Sequence, residues 1–162
     1  YLLDELLDDL ATGHNVEATV FIECHSGYLT EGPEELRPVG EMTFVREIAE
    51  AAERRGPGTP KVAQGIVGFA DLTLGDRVEP VLEALAEAAG GRLRGIRHSA
   101  GWHPDPAIGS GHHGTGAGLY LREDFQRGIK MLAKHDLALD GLVFFTATWS
   151  PSPAPARKRG SS

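Results

Sequence analysis

The chain has 162 residues, of which 41% are hydrophobic and 24% charged, the proportions of an ordinary globular protein rather than a disordered one. A formal charge of −7, with Arg157-Lys158-Arg159 as the one dense basic run, excludes a general nucleic-acid binder, which needs a basic face, and favours a small-molecule partner. No stretch approaches the roughly 20 apolar residues of a membrane span, no basic-then-apolar leader opens the chain, and a single cysteine, Cys24, permits no internal disulfide, so the sequence predicts a cytoplasmic protein with no membrane partner.

The chain opens on Tyr1 and enters a helical pattern with no capping residue before it, so the natural start is expected upstream. Leu2, Leu3, Leu6, Leu7 and Leu10 share one helical face opposite Asp4, Glu5, Asp8 and Asp9, with Gly13 as a stop. Val16 to Cys24 then reads as a strand, and its apolar run predicts burial on both faces, as in parallel sheets. His25 to Met42 has turn chemistry and the length of a functional loop. A second helix is predicted from Thr43, with Phe44, Ile48 and Ala51 inward, ending at Arg54-Arg55-Gly56-Pro57.

Lys61 to Ala70 is the next strand, and Asp76 to Ala89 the next helix, with Pro80 confined to its first turn. A short strand over Leu93 to His98 precedes a glycine-rich loop from Ser99 to Gly118. A helix follows over Leu121 to Lys134, with Leu121, Phe125, Ile129 and Leu132 inward, and then a strand over Leu137 to Phe145. This alternation predicts an α/β fold with about four parallel strands connected by helices, open because four strands do not close a barrel. Alternating prolines at Pro151, Pro153 and Pro155 and the terminal basic triplet predict a disordered tail over 146–162.

In parallel α/β sheets reactive groups collect at the carboxyl ends of strands. That rule selects Glu23 and His25 after the first strand, with Tyr28 close behind, Asp71 after the second, and Arg97 and His98 at the end of the third, followed by Trp102 and His103. Glu23 and His25, two apart on an extended segment, would face one side; a carboxylate and an imidazole there suit proton transfer or a divalent ion, and equally suit a solvated strand end. Cys24 would face the other way and pack. Asp71 suits a turn cap at Leu72-Thr73. Arg97 offers a planar fork for a substrate carboxylate or carbonyl and His98 a proton near neutral pH; Arg94, facing the opposite side, is the alternative, and one of the two arginines is expected in a helix-side ion pair. His112 and His113 are adjacent and lack the spacing that brings two imidazoles to one ion.

Together the strand VEATVFIEC, the loop HSGYLTEGPEELRPVGE, the segment KVAQGIVGFADLTLG and the run LRGIRHSAGWHPDP resemble the amidohydrolase-related family of TIM-barrel hydrolases, in the branch that includes sugar-lactone and pyrone-dicarboxylate lactone hydrolases. The resemblance covers about residues 1–145 and implies a partial (β/α)8 barrel, with the four strands as barrel strands two to five. The family's His-x-His pair and its water-activating aspartate have no counterpart in this chain. What the resemblance carries over is a substrate-gripping arginine within RGIRHSAGW, at Arg97 beside His98, with Tyr28 and Trp102 lining the pocket; a divalent metal such as zinc is common in the family, with no ligands assignable here.

The expected activity is hydrolysis of a lactone, ester or amide carbonyl by water attack, with His98, Glu23 and His25 as catalytic candidates and a small carbonyl compound as partner. The alternative is an inactive, truncated half-barrel that binds small anions or self-associates through its open sheet edges, a homo-oligomer.

Overall fold

The computed structural model describes residues 2–105, 107–108 and 115–144. Four strands, β1 (Ala18–Ile22), β2 (Lys61–Gly68), β3 (Leu93–Arg97) and β4 (Ala138–Asp140), form one sheet in sequence order with every neighbouring pair parallel. Helices α1 (Leu3–Leu10), α2 (Val39–Glu53), α3 (Glu79–Ala88) and α4 (Glu123–Lys134) precede or connect them. The predicted α/β alternation is therefore what the chain adopts. The tail over 146–162, the end of the fourth predicted strand at Phe145, and His112 and His113 lie outside the described residues.

The core fills the layer between the sheet and the helices. Met42, Val45, Ala49 and Ala52 of α2 meet Val62 and Ile66 of β2, and Leu82 and Leu85 of α3 join them. Fully burying a side chain of this size contributes about 1.5–3 kcal/mol, so this layer dominates the fold's stability. Glycine makes two of the close approaches possible. A Cβ on Gly128 of α4 would stand 2.2 Å from the Leu72 carbonyl oxygen, and one on Gly40 of α2 would stand 2.3 Å from that of Gly27. At Ala63, where φ is +45°, the register of β1 against β2 shifts, and the backbone N–H donates instead to Thr19 Oγ1 at 2.9 Å.

Several expectations are corrected. α2 begins at Val39, not Thr43, because Pro38 already has helical backbone angles and lacks the N–H that a helix start leaves unused. Its buried stripe is Met42, Val45, Ala49 and Ala52, while Phe44, Ile48 and Ala51 lie to the side of it. β1 is not buried on both faces: it forms the sheet's edge among the described strands, and its Val20 is 62% and Ile22 36% exposed. Leu72–Val78 is a tight 3-10 segment broken at Gly75, and α3 follows with Pro80 in its first turn as expected. Leu121 points outward, 71% exposed, because a second 3-10 turn at Leu119–Leu121 precedes α4 and buries Leu119 instead. Of the leucines of α1 only Leu3 is buried.

Candidate functional site

Two strand ends bring polar side chains together. At the end of β1 the ladder continues one residue, through Glu23 N–H donating to the Val67 carbonyl at 2.8 Å, and then the chain turns. His25 has φ +65° and Gly27 φ +67°, so this segment is not extended, and the alternation that would have set Glu23 and His25 on one side does not apply. The His25 ring instead stacks on Tyr28, with centroids 4.0 Å apart. Cys24, expected to pack, is exposed, and its Sγ lies 3.3 Å from Ser26 Oγ.

The turn is held by Glu41, a residue the sequence reading passed over. Its side chain is 0% exposed, and Oε1 accepts the backbone N–H groups of Cys24 (3.2 Å) and Ser26 (2.7 Å). Glu41 occupies the third position of α2, from which a glutamate ordinarily reaches back to the N–H of the capping residue. Here that residue is Pro38, which has no N–H, and the carboxyl turns to the strand-end loop instead. Proline at a helix start followed three residues later by glutamate was the signal available in the sequence.

Burial pushes the Glu41 carboxyl above the usual carboxylate range, and the nearby Glu23 charge adds to this against the opposing pull of its two backbone hydrogen bonds. Tyr28 is likewise pushed up, by burial first and then by the charges of Glu41, Glu23 and Cys24. Glu41 Oε2 and Tyr28 Oη are both buried and have no hydrogen-bond partner among the described residues.

At the end of β3, Arg97 and His98 sit where the sequence places them but are engaged. Arg97 donates through Nε and a terminal nitrogen to both oxygens of Asp140 on β4, at 2.9 and 3.0 Å, in the forked geometry that guanidinium and carboxylate share. Asp140 faces Arg97 in the β3–β4 register. Of the two arginines Arg97 is the one in an ion pair, across the sheet to Asp140 rather than to a helix, and Arg94 is exposed and donates to the Gly91 and Leu93 carbonyls. His98 is 3% exposed, stands edge-on to Phe69 and Phe125, and accepts the Leu72 N–H at Nδ1 (3.1 Å). That bond assigns the imidazole proton to Nε2. Tyr120 donates its hydroxyl to the His98 carbonyl at 3.3 Å, and burial, with Asp140 next, pushes the pKa of the phenol up. Asp71 takes the turn role expected of it, accepting from the Thr73 N–H (2.9 Å) and hydroxyl (2.6 Å). Trp102 is half-buried in the following loop.

Neither strand end assembles a metal-ligand set among the described residues. The group close enough to share an ion is Glu79, Glu83 and His135, whose ligand atoms lie within 4.8 Å of one another. Glu79 already pairs there with the Lys134 ammonium, an internal cation that holds the carboxyl's pKa below the usual carboxylate range. Among the described residues no helix is long and apolar enough to cross a membrane. Compared with known proteins, the chain matches no family model, no curated protein and no solved structure.

Proposed function

We propose that the chain is part of a barrel-type hydrolase of the amidohydrolase-related kind, acting on the carbonyl of a small lactone, ester or amide by water attack. The parallel sheet, with its proton-active side chains at the carboxyl ends of strands, is the arrangement such barrels use. The observation that carries the reading is the gathering of Glu23, His25, Tyr28 and Glu41 after β1, where a buried carboxyl with raised affinity for its proton adjoins a second carboxylate. A buried carboxyl with raised proton affinity beside a second carboxylate suits division into acid and base. Glu23, half-buried, is the base that takes a proton from water, with exposed His25 beside it, and Glu41, whose affinity for its proton is raised, is the acid.

A pH-stat assay of the purified chain against neutral lactones, esters and amides tests this. Turnover is expected, falling by roughly 100-fold in Glu23→Gln and by a smaller factor in His25→Ala. Failure to hydrolyse any of the three classes sinks the reading. A second reading, self-association of an open half-barrel, has one observation in its favour, the exposed Val20 and Ile22 on the edge strand. A concentration-independent monomer on size-exclusion chromatography removes it.

A further inference from the structure

We infer that the trough beside Arg94, on the face of the sheet turned away from α2, is a binding site for a small monocarboxylate with a short apolar body. The site lies toward the amino ends of β1 and β3, apart from the strand-end residues of the hydrolase reading, and does not depend on that reading.

Three observations lead to it. The first is the trough itself, a cavity of about 300 Å³ lined by Ala18, Thr19, Val20, Gln64, Gly65 and Arg94. Ala18, Val20, Gln64 and Arg94 are exposed, so the cavity is open to solvent, and Gly65, which is buried, is its floor. A Cβ on Gly65 would meet Arg94 Cγ at 3.3 Å and Val20 Cγ2 at 3.7 Å, whereas one on Gly68 would meet Met42 Sδ of α2 at 2.9 Å. Three residues apart on one strand, the two glycines face opposite sides of the sheet, which puts the trough on the side that α2 leaves uncovered.

The second is how Arg94 is held. Its Nη1 donates to the Gly91 carbonyl at 2.8 Å and to the Leu93 carbonyl at 2.9 Å, which uses both hydrogens of that nitrogen, and its stem lies beside the bare Gly65 backbone. A surface arginine ordinarily gives up rotamer freedom when it binds; this one is already fixed in place. The third is what that fixing leaves open. Arg97 grips Asp140 through Nε and Nη2, the side-on fork that matches the two oxygens of a carboxylate. On Arg94 the same two nitrogens have no acceptor, and no carboxylate pairs with the guanidinium, among the described residues.

These groups define the ligand. A planar fork takes a carboxylate with two parallel hydrogen bonds, and one cation balances one negative charge, so a monoanion is favoured over a phosphate dianion. The Gln64 amide and the Thr19 hydroxyl, whose oxygen already accepts the Ala63 N–H, are further donors along the trough, and Ala18 and Val20 give an apolar wall for a ring or short chain. With a net charge of −7 the chain as a whole repels anions, so saturable uptake of one reports a local site and not a diffuse attraction.

The test is titration of benzoate into the full chain at neutral pH and low salt, followed by protein NMR. Saturable binding with a Kd on the order of 1 mM is expected, with the largest amide shifts at Thr19, Gln64 and Gly65. Arg94→Gln should weaken binding by about tenfold or more, and Arg94→Lys by a smaller factor, about three to five, because an ammonium keeps the charge but not the fork. Benzamide, the uncharged analogue, and inorganic phosphate should each bind at least about tenfold more weakly than benzoate.

No saturable binding by wild type, equal binding by Arg94→Gln, benzamide or phosphate bound as tightly as benzoate, or shifts gathered away from the trough overturns the inference. Should Arg94→Gln not fold, Arg94→Lys decides alone, and affinity equal to wild type there overturns it. Benzoate binding needs no turnover: a chain that binds benzoate as described but hydrolyses nothing loses the hydrolase reading only, and one that hydrolyses lactones without binding benzoate loses this inference only.

Discussion

Around the ends of β1 and β3 stand similar groups, Glu23, His25 and Tyr28 at the first and His98 with Asp140 of β4 and Tyr120 at the second, and they differ in how far they satisfy one another. After β3 the polar groups are closed into pairs: Arg97 with Asp140, His98 with the Leu72 N–H, Tyr120 with the His98 carbonyl. After β1, Glu41 holds the turn with one oxygen, and its other oxygen and the Tyr28 hydroxyl have no hydrogen-bond partner among the described residues. Residue type and strand-end position are shared by both regions. Hydrogen-bond satisfaction separates them: the β3 end is closed into pairs, and the β1 end leaves two buried polar atoms without partners among the described residues.

The sharpest way to break this comparison is to damage one end and read the other. Phe125→Ala removes a ring with 0% exposure that walls in His98 and stacks on Tyr120, and should cost about 4 kcal/mol in urea unfolding. If the β1 end is independent, turnover by the folded fraction should stay as in wild type; a matching loss of turnover would show the two ends to be one site.

Gly40→Ala tests the β1 side. Its Cβ would lie 2.3 Å from the Gly27 carbonyl oxygen and 2.8 Å from the Leu29 nitrogen, both backbone atoms that cannot swing aside. A loss of about 2–3 kcal/mol is expected, with lowered turnover as α2 is pushed off the turn. Unchanged turnover would mean that Glu41 does not set the turn.

Arg97→Ala leaves Asp140 without its forked partner. Because both side chains are partly exposed, the expected loss is modest, about 1–2 kcal/mol, with turnover unchanged. A tenfold fall in turnover instead would return the gripping role to Arg97.

The smallest expected effect is in pH. Glu41 binds its proton more tightly folded than unfolded, so between the ordinary carboxylate value, about 4.3, and the higher folded value the native state holds the extra proton. Stability from this group is therefore greatest at or below the ordinary value and declines as pH rises through that window, then levels. Glu41→Gln should lack this component of the decline in chemical denaturation curves; a parallel decline in both proteins would place the titrating group elsewhere.

The sequence was enough to order the elements. Apolar runs of β-branched and aromatic residues at Phe21-Ile22 and Ile66-Val67 and helical spacing at Val78, Leu82 and Leu85 report local geometry, which depends on nearby residues. Pro80 marked its helix start for the same reason. At the site, sequence placed Glu23, His25, Tyr28, Arg97 and His98 near strand ends but left their partners unresolved.

The structure decided those partners because they are distant along the chain. Asp140 is 43 residues from Arg97, and Glu41 is 17 from Cys24. No local pattern distinguishes an arginine locked across a sheet from one facing a ligand. Likewise Glu41 stands inside what reads as a loop, and only packing of the first turn of α2 against Gly27 shows that its carboxyl is buried and half engaged. What the sequence by itself determined is the order of strands and helices, written in short-range periodicity. The tertiary structure decided which polar atoms remain unsatisfied, since that depends on every element that packs around them.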